Sequence, residues 1–138
     1  MEQFLLFHLD RELFGLHIDY IQEIVESPTF HYIPRAPRHL FGAINFHGNV
    51  VPIVDLAALI GYEGDQRDAR VAILSLNIAT LGLAFTSVGA IVSLDTEGMQ
   101  PVTPEVSSKQ LIHGVLTSDE GMINLLDVPQ LLSSLGED

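Results

Sequence analysis

The sequence predicts an all-β barrel class, built as two similar small β units side by side. Three observations carry this. Short runs rich in Val, Ile, Leu and Phe recur along the 138 residues, separated by Gly, Pro, Asn and Asp turns. Helical spacing is confined to a turn or two and one closing run. The two halves also repeat each other: residues 7–27 align without a gap on 74–94, and 42–60 on 114–132, in the same order. Leu9, Gly15, Leu16, Ile24 and Val25 meet Leu76, Gly82, Leu83, Ile91 and Val92, while Gly42, Asp55 and Leu59 meet Gly114, Asp127 and Leu131. The chain therefore reads as one domain of two duplicated β subdomains, about 1–66 and 67–138, with room for strands to be exchanged at the ends.

In chain order, 4–9 (FLLFHL) is a strand, 10–12 a turn, and 13–18 a second strand with Gly15 at a bulge position. Asp19 caps a short helix carrying Tyr20, Ile21, Ile24 and Val25. Residues 27–37, with Pro28, Pro34 and Pro37, form an extended connection, and 39–41 a helical turn. Residues 42–56 (GAINFHGNVVPIVDL) organise the rest. Ala43, Ile44 and Phe46 lead into a His47-Gly48-Asn49 turn, and Val50, Val51, Ile53 and Val54 leave it as a β-branched run. Pro52 places that run at a sheet edge or a bulge, and an edge can accept a partner. Asp55 caps a short helix with Leu56, Leu59 and Ile60 on one face, and Gly61 ends it.

Residues 62–68 (YEGDQRD) are a polar loop, and 70–76 and 81–85 are strands. Residues 88–94 repeat the short-helix-then-strand pattern, and 95–110 form a second long connection. A hairpin of 112–116 and 122–126 turns at 118–121. Asp127 then caps a last helix whose Val128, Leu131, Leu132 and Leu135 form a stripe that packs into the core.

Eighteen acids against six bases give a net charge of −12, which argues against nucleic acid and anionic lipid as partners. Arg35 and Arg38, among His31, His39 and His47, form a local site for an acidic partner. No cysteine is present, so disulfides and thiolate metal sites are excluded, in keeping with a cytoplasmic protein. The N-terminal residues lack the basic region of a signal peptide, and no run approaches the roughly 20 apolar residues of a membrane span.

Catalytic patterns are missing. There is no G-x-S-x-G, G-x-G-x-x-G or H-E-x-x-H, and the only lysine, Lys109, lacks a phosphate-loop glycine frame. His8 and His17 face each other across the first hairpin, which makes a weak candidate for zinc. Glu23 and Glu26 share a helical turn with no second group to polarise a substrate. A binding module is favoured over an enzyme, and neither a cofactor nor a resident metal is expected.

Three segments carry a family likeness. In 4–27 a strand pair runs into an I-x-x-V-x-E-I element as Ile18, Ile21, Glu23 and Ile24. Residues 33–61 match P-x-a-P-x-x-x-x-G-x-x-N-x-R-G-x-x-x-P-V-x-D-L, and 81–94 are followed by the closing 114–132. On these the chain resembles the CheW-like domain, the coupling module of bacterial chemosensory arrays, over nearly its whole length. The resemblance implies two SH3-like five-stranded β-barrel subdomains around a shared apolar core. It implies a non-enzymatic adaptor joining a chemoreceptor's cytoplasmic tip, lying along the groove between subdomains, to the regulatory domain of a CheA-type histidine kinase. The partner-binding residues it implies are Ile18, Ile21, Glu23, Ile24, Gly42, Asn45, His47 and Val50.

The chain departs from the pattern at His47, where the family has arginine, at Thr86, where aspartate is usual, and at Ala57, where arginine follows D-L. Two alternatives follow. One is a divergent scaffold serving a single partner, for example in a pilus or other chemosensory pathway. The other is a small-ligand sensor using an apolar groove. If His47 meets an acidic partner, its imidazole makes binding stronger at lower pH.

Overall fold

The computed structural model describes residues 1–136, with the side chains of Ser108 and Lys109 outside the description. Lys109, considered above as a phosphate-loop lysine, is therefore not placed. The molecule is mostly β, in two sheets, with few and short helices. The strands are β1 (Glu2–Leu9), β2 (Glu12–His17), β3 (Ile21–Glu26), β4 (Leu40–Phe46), β5 (Asn49–Asp55), β6 (Arg70–Leu74), β7 (Gly82–Ala84), β8 (Ser87–Leu94), β9 (Gln100–Pro101), β10 (Ile112–Ser118) and β11 (Gly121–Leu126). The helices are α1 (Leu56–Leu59), α2 (Pro104–Gln110) and α3 (Val128–Ser134).

One sheet runs β8-β1-β2-β11-β10-β9 and the other β3-β6-β7-β5-β4. Equivalent strands occupy equivalent places. β2 lies parallel to β11 through Gly15↔Leu125, and β7 lies parallel to β5 through Gly82↔Ile53. The hairpins β4–β5 and β10–β11 shift register at the same point, between Leu40 and Gly42 and between Ile112 and Gly114. A long apolar alternation with a glycine at the shift writes this geometry twice into the sequence.

The chain divides into two compact units: residues 1–18 with those from 89 onward, and residues 19–88. A cut near residue 66 does not describe this division. β1 and β2 pair with strands from the other end of the chain, while β3 pairs with β6. In the first unit Phe4, Leu6, Leu94, Leu116, Ile123 and Leu125 form a buried cluster. In the second, Ile44, Phe46, Val51, Ile53, Val71, Ile73 and Ala84 do the same.

The mostly β class in two sheets is as expected, and neither sheet is closed into a barrel by hydrogen-bonded ladders: among the described residues none joins β3 to β4 or β8 to β9.

Several local expectations change. Residues 18–20 make one 3-10 turn, and 21–26 form a strand rather than a helix. The β-branched Ile21, Ile24 and Val25 find ladder partners on β6, and that pairing overrides their helical spacing. Residues 87–94 are likewise one continuous strand, and β4 begins at Leu40 with no helical turn before it. Gly15 sits in unbroken register with Leu6, so it is no bulge. An added Cβ there would stand 3.2 Å from Ile123, and the glycine makes room for β11.

The connection 95–110 contains α2, capped by the Thr103 hydroxyl and opened by Pro104. Pro52 lies in β5 between β4 and β7, but β7 pairs only from Ile53 onward. The proline is thus tolerated beyond the end of the β7 ladder, and the bulge belongs to β4.

Candidate functional site

The second unit gathers most of the singled-out residues at one end of the β4–β5 hairpin. Phe46 pairs with Asn49, which leaves His47 and Gly48 as a two-residue turn. Both have positive φ, 50° and 83°, the signature of a type I′ hairpin turn, so the turn is His47-Gly48 and Asn49 already belongs to β5. Histidine tolerates the left-handed region better than most side chains, and Gly48 costs nothing there. The Asn45 side-chain oxygen accepts a hydrogen bond from the Gly48 amide at 3.1 Å and braces the turn.

The turn thereby presents His47, whose side chain is 71% exposed, with its ring packed edge-on against Phe46 at 4.3 Å. Val50, opposite Asn45 in the ladder, is 71% exposed although it is β-branched and apolar.

β3 supplies the rest. His47 Nε2 stands 3.7 Å from Glu23 Oε1. β3 and β5 are separated by β6 and β7, a distance of roughly 14 Å in a flat sheet at ordinary strand spacing. The sheet is therefore strongly curled, and the curl carries β3 to the hairpin tip. Glu23 is exposed, and Ile21 and Ile24 are half-buried on the same strand. A register shift between Ile21 and Glu23 frees Gln22, whose side-chain oxygen accepts the Leu76 amide at 3.1 Å.

Two members stand apart. Ile18, half-buried in the 3-10 turn, lies in the other unit. Gly42 is buried, with φ 153°, and a Cβ there would meet the His31 carbonyl oxygen at 3.1 Å. Its place is backbone geometry, where His31 and Ala43 exchange hydrogen bonds of 2.7 and 3.0 Å.

At the opposite end of the hairpin, Asp55 caps α1 through the Ala58 amide and accepts Arg67 Nε at 2.8 Å. Asp68 accepts Arg70 Nε and Nη2, each at 3.0 Å, and the amides of Arg70 and Val88. The Arg70 guanidinium, with those two amides, holds its carboxyl down at about 2 against the opposing effect of burial. These pairs anchor the 62–68 loop. Sequence reading saw only a polar loop, although the Asp68-x-Arg70 spacing was the available signal.

His8 stands opposite Leu13 and His17 opposite Phe4, so these histidines do not face each other as expected. No group of three or more metal-ligating side chains occurs among the described residues. Glu23 and Glu26 lie on a strand, not on one helical turn.

An exposed apolar side chain rimmed by polar groups at a hairpin tip is chemistry for recognition. The family profile of the CheW-like domain matches residues 3–136. The chain belongs to the CheW-like domain family. A probable chemotaxis protein CheW of Rhizobium etli is 32% identical over 136 residues, covering 95% of this chain and 87% of that protein. The chemotaxis protein CheW of Klebsiella aerogenes is 30% identical, covering 96% and 82%. Among solved structures, the scaffolding protein TtCheW of Thermoanaerobacter tengcongensis superposes with a TM-score of 0.78 at 26% identity, covering 90% of this chain and 87% of that one. As a member of the CheW-like family the chain is a non-enzymatic chemotaxis scaffold that works through protein partners. No helix among the described residues is long and apolar enough to cross a membrane.

Proposed function

We propose that the chain is a cytoplasmic adaptor that joins a chemoreceptor's cytoplasmic tip to the regulatory domain of a CheA-type histidine kinase. In this reading each curled sheet is an SH3-like subdomain. Edge strand β3 and the β4–β5 tip form one partner surface, with Ile21, Glu23, Ile24, Asn45, His47 and Val50 as its contacts and Gly42 as its backbone support.

The observation that carries the reading is the 3.7 Å approach of Glu23 to His47, which makes one patch of two separate strands beside the exposed Val50. Exposed apolar side chains rimmed by polar groups are the composition of a docking surface.

The test is calorimetry of the purified chain against its own cell's receptor cytoplasmic fragment and kinase regulatory domain. Saturable binding to both is expected. Val50→Asp, exposed and therefore harmless to folding, is expected to weaken one of them about tenfold. Binding to neither would end the proposal. Histidine at position 47 favours a second reading, a scaffold serving one partner, because an imidazole lacks the permanent charge and bidentate fork of the family arginine. Under that reading only one titration saturates, and His47→Arg restores the other.

A further inference from the structure

The five arginines of this acidic chain fall into different situations. Arg67 and Arg70 are locked in short ion pairs with Asp55 and Asp68. Arg35 and Arg38 are exposed, and no ion pair or hydrogen bond of their side chains occurs among the described residues. They sit on consecutive turns on either side of Pro37, in the connection that leads into β4. Arg35 adopts φ 60°, which fixes its turn in a left-handed conformation that L residues rarely take.

The neighbouring stretch of sequence is one-sided as well. From Ser27 to Val54 the chain contains no carboxylate, although it carries 18 elsewhere. The same connection leaves Tyr32 85% exposed and Phe41 41% exposed, with Phe41 edge-on to Phe30 at 4.8 Å. Arg38 and Phe41 also line a cleft of about 240 Å³ with Ala58, the Arg67–Asp55 pair, Glu63 and Asp65.

We propose that Arg35 and Arg38, with Tyr32 and Phe41, form a second docking surface that takes a carboxylate-rich polypeptide segment. Two guanidiniums left unpaired in a chain of 18 acids are complementary to an external anion, and their planar forks suit carboxylates. Tyr, Phe and Arg are residue types enriched at protein interfaces, and Tyr and Arg are frequent among those that dominate binding energy. Glu63 and Asp65 make the cleft itself unfit for carboxylates, so the partner's acids are held outside it at the two turns. The charge of −12 opposes any anionic partner at longer range, so the attraction must come from the two local guanidiniums and the aromatic side chains beside them.

The surface is distinct from the one containing His47. β4 starts beside Arg38 and ends beside His47, and its seven residues span roughly 20 Å at the usual strand rise. One hairpin thus presents a different docking chemistry at each end.

The test is NMR titration of the isotope-labelled full chain with a synthetic Glu-Glu-Phe-Glu-Glu-Leu peptide and its Gln counterpart at near-physiological salt. Saturable shifts are expected at Arg35, Arg38, Tyr32 and Phe41 with the glutamate peptide alone. Affinity is expected to fall about tenfold in the Arg35→Glu, Arg38→Glu double variant at an unchanged melting temperature, and to be unaffected by His47→Ala. No shift, equal shifts with the glutamine peptide, or indifference to the double variant overturns the proposal. Shifts reproduced by inorganic phosphate or by phosphatidylglycerol vesicles also overturn it, in favour of a phosphate or membrane ligand. The measurement involves neither receptor nor kinase, so its outcome is independent of the coupling role.

Discussion

Gly82 shows how a single residue reports on packing from the far side of a sheet. A Cβ at this position would come within 2.5 Å of Ile53 Cδ1 and 3.0 Å of Ile73 Cδ1, both in the second unit's core. Gly82→Ala is therefore expected to lose about 1–3 kcal/mol in urea denaturation, the usual cost of overpacking a filled core. Asp68 makes a second residue-level prediction. Its carboxyl sits at about 2 in the folded protein and near 3.8 when unpaired. A depressed folded value adds stability that is complete above the unpaired value and is lost as pH falls through the folded one. Stability should thus decline between roughly pH 4 and pH 2 by an amount of the order of 2 kcal/mol, and Asp68→Asn should flatten that limb. The sequence offered only the Asp68-x-Arg70 spacing as a sign of this role, because the Val88 amide that completes it lies 20 residues away and is brought in by the fold.

At the scale of elements, the matching short helices provide a controlled comparison. Asp55 and Asp127 occupy the same place after their hairpins, and each caps the following helix, through the amides of Ala58 and Gln130. Asp55 alone also carries an arginine, and both side chains are nearly buried, at 8% and 13% exposure. Asp127→Ala is expected to cost about 1 kcal/mol, the worth of a cap. Asp55→Ala should cost about 3 kcal/mol or more, because it also strands the Arg67 charge, and Arg67→Met in the Asp55→Ala background should recover part of the loss. Both caps were legible in the sequence because capping is local: Asp, then apolar residues at helical spacing. β3 was not legible. Ile21, Ile24 and Val25 fit helical spacing, and only the ladder to β6, nearly fifty residues away in sequence, decides that they form a strand.

The whole molecule is two sheets with one shared plan, interleaved along the chain. Residues 19–88 contain all five strands of their sheet in one continuous segment, whereas residues 1–66 hold β1 and β2 without β11, and β3 without β6. The isolated 19–88 segment is expected to keep a cooperative thermal transition by circular dichroism, and 1–66 to show none; the reverse would refute the interleaved division. By itself the sequence determined the class, the two repeated hairpins with their capped helices, and the family through the 33–61 signature. These rest on local pattern: alternation, turn chemistry, capping and motif spacing, each complete within a few residues. Only the tertiary structure decided which strands share a sheet, that the sheets stay open, and that Glu23 reaches His47 while Arg35 and Arg38 find no partner. These depend on pairings between distant segments, where any β-branched run can satisfy any neighbour's backbone and burial selects among them.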